Sequence, residues 1–170
     1  MTAELLFAYL AGVIIILSLF VITTRNPVHS VLFMLLMFFH IAGLYLTLGA
    51  EFLAAIQIMV YAGAILVLFL FVVLLLNLRE TLMVERFVGP WPLALSTALA
   101  LFMVTIFSLR TFVLGPKGAF TPELMEAETN TKVLGRILYT DYLYPFEIVS
   151  LLLLVALIGA IVLAKKRLRS

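Results

Sequence analysis

Five long apolar runs alternate with short polar stretches along the chain, at about 4–22, 29–48, 52–77, 91–113 and 145–164. Each holds roughly 19 residues or more, and ~20 residues rising 1.5 Å apiece cross a ~30 Å hydrocarbon layer. Single strands would leave backbone groups unpaired in lipid, so the runs predict helices. The expected fold class is therefore an all-α integral membrane protein with five transmembrane helices, read as one membrane domain over 1–170. The first run has no basic segment ahead of it and is too long for a signal-peptide core. It is expected to be a retained span.

The connections are short except one. In "TTRNPVHS", Asn26 is placed to cap a helix and Pro27 to open it. "LGAE" predicts a tight turn. "LRETLMVERFVGPWP" is polar and ends at Trp91, at a depth that favours its ring. The long loop, 114–144, begins with an acidic part holding Glu123, Glu126 and Glu128. Further on, Val133, Leu134, Ile137 and Leu138 share one face. That spacing predicts a short amphipathic helix lying on the membrane surface.

Composition agrees with the pattern. Apolar residues make up 65 % of the chain and charged residues 12 %, about half the charge of a soluble domain. The net charge of +2 is carried at helix ends and in the tail, which suits membrane orientation rather than nucleic acid. The C-terminal side of the membrane would hold Arg25, Arg79, Arg86, Lys165, Lys166, Arg167 and Arg169. The other side would hold Arg110, Lys117, Lys132 and Arg136 among acidic neighbours. This bias predicts a cytoplasmic C-terminus, an outside N-terminus and an extracytoplasmic loop 114–144. With no cysteine in the chain, thiolate-held iron–sulfur clusters and thiol nucleophiles are excluded.

Polar groups inside a span are costly, so each raises a functional question. Glu51 opens the third run. It is either a carboxylate settled on a helix N-terminus or a way in for protons. Gln57 and Tyr61 lie roughly 9 and 15 Å further along a helix at 1.5 Å per residue. Four residues apart, they are expected to share a face, where they would either bond a neighbouring helix or hold a chain of waters. Gly63, with Ala62 and Ala64 beside it and Ala54 and Ala55 earlier, allows either close helix packing or a local change of winding. His29 and His40 share a face of the second run but stand roughly 16 Å apart at 1.5 Å per residue, too far to hold one metal or haem between them. Glu147 after Pro145 is an ordinary helix start, and Asp141 is expected in a surface loop. No phosphate loop, zinc spacing or nucleophile elbow is present.

Three stretches carry more specific information: "NPVHSVLFML", "LGAEFLAAIQIMVYAGAILVLFLFVVLLLN" and "LGRILYTDYLYPFEIVSLLLLVALIGAIVLAKK". They resemble the subunit J family of bacterial NADH-quinone oxidoreductase, respiratory complex I, whose mitochondrial counterpart is subunit 6. The resemblance extends over most of the chain. It implies an integral subunit of the membrane arm in a bacterial inner (plasma) membrane, set between the quinone-binding subunit and the antiporter-like pumping subunits. It implies no redox centre in this chain: NADH, FMN, iron–sulfur clusters and quinone belong to other subunits. It also implies a π-bulge in the third helix near Tyr61–Gly63. Conversion of that bulge to regular α-helix would rotate the helix and open or close a water path that couples quinone reduction to proton translocation. Glu51, Gln57, Tyr61 and Gly63 would serve that path, with Ala55, Ala62 and Ala64 as packing residues. Some family members carry a carboxylate where this chain has Gln57, which makes Glu51 the better ionisable candidate here. The competing readings are a homologous subunit of a membrane-bound hydrogenase or multisubunit cation/proton antiporter, and a purely structural scaffold.

Overall fold

A computed structural model describes residues 3–76, 91–111 and 128–165. Asn77, Arg79, Arg86, Lys117, Glu123, Glu126, Lys166, Arg167 and Arg169, which entered the sequence reading, lie outside the described residues, as do the last two positions of the fourth run. The described residues form helices α1 (Ala3–Thr23), α2 (Pro27–Thr47), α3 (Glu51–Leu75), α4 (Trp91–Thr111), α5 (Asn130–Tyr139) and α6 (Leu143–Ala164). All but α5 are long and apolar enough to cross a membrane.

Local chemistry sets the helix ends. Asn26 Oδ1 accepts from the Val28 N–H at 3.0 Å, and Pro27 occupies the first turn. There its missing N–H costs nothing and its fixed φ suits a helix. The turn from α2 to α3 pivots on Gly49, whose φ of +69° lies in the left-handed region. The Ala50 N–H bonds Tyr45 O at 2.9 Å and the Gly49 N–H bonds Leu46 O at 3.1 Å. This paired pattern closes the orphan carbonyls of a helix end and reverses the chain in a few residues.

α2 lies between α1 and α3, touching both. On the α1 side, the Leu10 side chain rests over Gly43, where an added Cβ would stand 3.4 Å from its Cδ2. Phe20 and Phe33 stack at a tilt with ring centroids 5.3 Å apart. On the other side, α2 runs the full length of α3, and it is the only described helix that α3 touches. Val31 and Ala42 of α2 are almost fully buried. By contrast, no residue of α4 is buried, so its apolar surface is turned outward all round.

The described residues 128–165 belong to a second compact unit. In it α5 is strongly amphipathic and buries Val133, while α6 buries nothing. The corner between them is held by the edge-on contact of Tyr139 with Phe146, 5.1 Å between centroids. Arg136 pairs with Glu128 at 2.8 Å. The guanidinium end is more than half exposed, so the pair contributes at most about 1 kcal/mol.

Candidate functional site

α3 is not wound uniformly. Glu51–Ile56 is α-helical, Gln57–Ile65 is π-helical, and Leu66–Leu75 returns to α. At the far end of the π segment the Leu66 N–H bonds Tyr61 O, five residues back. An α-turn would have bonded the residue four back. Wider turns of this kind put an extra residue into the helix and shift everything beyond it.

The burial pattern records that shift. The buried positions of α3 are Ala54, Gln57, Ala62, Leu66 and Val73. Most of the intervals between them are those of an α-helical stripe. The interval from Gln57 to Ala62 is five, one residue too long for an α-turn. In regular α-helix Ala62 would point roughly 140° away from Gln57 at about 100° per residue. The π winding brings it back onto the face that meets α2.

Tyr61 therefore does not share a face with Gln57, as regular helical spacing predicts. Gln57 is only 7 % exposed, whereas Tyr61 is 46 % exposed. The tyrosine stands on the flank of the interface. There its ring meets Phe38 of α2 nearly edge-on, 5.9 Å between centroids and 80° between planes. The physical reason is the wider turn: when five positions complete it, the fifth, Ala62, returns to the face of Gln57 and the fourth, Tyr61, stops short of it. No hydrogen bond within the described residues reaches the Gln57 amide, so it sits against α2 with unused donors and acceptors.

The remaining candidates fall into place around this segment. Glu51 is exposed in the first turn of α3, where the positive end of the helix dipole favours a carboxylate. Gly63 is exposed, but its backbone is confined: a Cβ there would lie 3.3 Å from the Ile58 carbonyl oxygen. That oxygen is five residues back, within the π segment, and cannot move away without disturbing the winding. Of the three alanines singled out, Ala62 is buried, while Ala55 and Ala64 are exposed on the outer surface. Ala54, another of the small residues of this run, is buried, and Phe38, which nothing in the sequence pattern marked, meets Tyr61 across the interface. Ala54 and Ala62 are eight apart, which separates them on an α-helix. With one residue absorbed by the π segment they behave as seven apart and fall on one stripe.

The α1–α2–α3 packing and the π-wound third span define a multi-pass helical membrane protein. Its most unusual element is a helix with a stored register shift beside a buried amide. Residues 17–163 match the family described as NADH-ubiquinone/plastoquinone oxidoreductase chain 6, and the chain belongs to that family. It is 40 % identical to the NADH-ubiquinone oxidoreductase chain 6 of Cyanidium caldarium, over 93 % of this chain and 82 % of that one. It is also 40 % identical to the NADH-quinone oxidoreductase subunit J of Rickettsia felis, over 95 % of this chain and 80 % of the relative. A third relative, the chloroplastic NAD(P)H-quinone oxidoreductase subunit 6 of Physcomitrium patens, is 37 % identical over 96 % and 84 % of the two chains.

Proposed function

We propose that this chain is a membrane-arm subunit of a proton-pumping NADH-quinone oxidoreductase, and that α3 is its moving part. Family membership supports the first half. The observation that supports the second is the five-residue interval between Gln57 and Ala62, because it marks a register shift held inside a membrane span.

Releasing that shift would turn one flank of α3 against the other by about 100°, one residue's worth of helical rotation. If the stripe from Ala62 to Val73 keeps its seat on α2, Gln57 and the turns before it must rotate. The buried amide would then leave the α2 face and aliphatic neighbours would replace it. In one winding Gln57 helps to order water between α2 and α3; in the other that water loses its polar partner and the path closes. Glu51, at the head of the helix, is the ionisable group that feeds the path. An element with two discrete windings is the kind of part that energetic coupling needs, since events elsewhere in the enzyme can bias it.

In this reading the chain binds no redox group. NADH, FMN, iron–sulfur clusters and quinone are held by other subunits. Its neighbours are the quinone-site subunit and the antiporter-like subunits, in an inner (plasma) membrane with the C-terminus cytoplasmic. Native-gel separation of mildly solubilised membranes, with an in-gel NADH-oxidation stain and mass spectrometry of the band, tests the assignment. This chain is expected in a large NADH-oxidising band. Its appearance in a different complex, or alone, would overturn it.

A further inference from the structure

His40 is the polar group that the proposed path does not use. On α2 it points away from α3: Phe38 meets Tyr61 on the α3 side, while His40 sits beside Tyr9 of α1, ring centroids 6.2 Å apart. It is half-buried. Its Nδ1 lies 2.7 Å from the Leu36 carbonyl oxygen. A carbonyl only accepts, so Nδ1 carries the hydrogen and donates. That fixes the neutral ring's tautomer and leaves Nε2 as an acceptor. None of the described residues donates to it.

The depth of His40 makes that acceptor informative. It stands seven residues before the end of α2 at Thr47, roughly 10 Å inside the span at 1.5 Å per residue. Hydrocarbon chains offer no donor at that level, and an unmet acceptor there is costly. The adjoining surface is open to a close neighbour. Tyr9 is 56 % exposed, and a Cβ placed on Gly12, one turn along α1, would meet nothing within 4 Å. A second helix can approach such a glycine closely.

We propose that the α1/α2 face carrying Tyr9, Gly12 and His40 is the docking face for a transmembrane helix of another subunit. That helix presents a side-chain donor, a hydroxyl, indole or amide N–H, to His40 Nε2. The inference rests on the reading of this chain as one subunit of a larger enzyme. It concerns the face of α2 opposite the π-wound helix and is independent of whether that helix changes its winding.

The test uses the whole purified enzyme with p-benzoylphenylalanine in place of Tyr9. After illumination, the adducts are identified by mass spectrometry. The expected adduct joins this chain to a membrane span of another subunit that contains a donor side chain near the attachment point. Adducts to lipid alone, or only within this chain, would overturn the docking face. A pair of variants adds a second readout. His40→Leu removes the acceptor, and His40→Gln keeps one. After a detergent challenge, His40→Leu is expected to lower the share of enzyme that retains this chain by severalfold, while His40→Gln stays close to the parent. Equal retention in both variants would also overturn the proposal. If the unaltered chain is missing from the purified NADH-oxidising enzyme, the functional reading fails and this one with it. If the chain is present with lipid adducts only, the docking face alone fails.

Discussion

At Gly63 a single hydrogen in place of a side chain spares the π winding a tight contact. A Cβ would stand 3.3 Å from the Ile58 carbonyl oxygen. Alanine also favours regular α-helix over glycine by about 1 kcal/mol, roughly a fivefold change in a two-state population. Gly63→Ala is therefore expected to favour the α-wound form and to lower proton pumping severalfold, with Gly63→Leu more severe. Incorporation of the subunit, read on a native gel, should fall far less. Matched losses of assembly and pumping would reduce Gly63 to a packing residue. Gln57 is a buried residue whose amide has no hydrogen bond among the described residues, so Gln57→Leu should cost little stability, or none, while removing the group to which the proposal assigns the ordering of water. Pumping in resealed vesicles is expected to drop although the enzyme stays assembled. Tyr61→Phe keeps the edge-on ring contact with Phe38 and loses only the hydroxyl. It should be the mildest of the three, and a loss as large as that of Gln57→Leu would contradict the placement of Tyr61 on the flank.

At the scale of elements, most of the helices were legible because each obeys one local rule. Apolar length gave the five spans. The Asn26–Pro27 pair marked the start of α2, and glycine marked the turn before α3. The single apolar face of Val133, Leu134, Ile137 and Leu138 marked α5. The π segment was not legible from periodicity. A register shift inside a uniformly apolar helix leaves no gap in the polar pattern, and Ile, Val, Leu and Ala fit either winding. Family resemblance supplied that expectation. The assumption of a regular helix placed Tyr61 with Gln57, and the extra residue in the π turn separated them. The helix ends make a stability prediction. Gly49→Ala puts a Cβ on a residue at φ +69°, and Asn26→Ala removes the bond to the Val28 N–H. Each is expected to cost about 1 kcal/mol, visible as a lower melting temperature of the purified enzyme. Neither should change the number of protons moved per NADH in enzyme that remains folded.

At the scale of the whole molecule, exposure decides how the chain can exist. Among the described residues, α4 and α6 bury none of their own side chains, and α3 is packed only on its α2 face. The exposed Ala55 and Ala64 lie on the rest of α3. In a bilayer such surfaces meet lipid or other helices, and membership of this subunit family supports the second for at least part of them. Among the described residues the π-wound helix is thus packed on one side against its own chain and exposed on the other. Phe38 and Tyr61 mark its register against α2, and the chain has no cysteine of its own. Cysteines introduced at those two positions would be its only thiols. Joining them with a short, reducible bifunctional thiol reagent should pin α3 in the π register. The deciding measurement is NADH-driven proton pumping by the assembled enzyme before joining, after joining and after reductive release, with the single-cysteine variants as controls. A helix that must rewind predicts that pumping falls when the pair is joined and returns on release. Full pumping by fully joined enzyme would contradict the rewinding account.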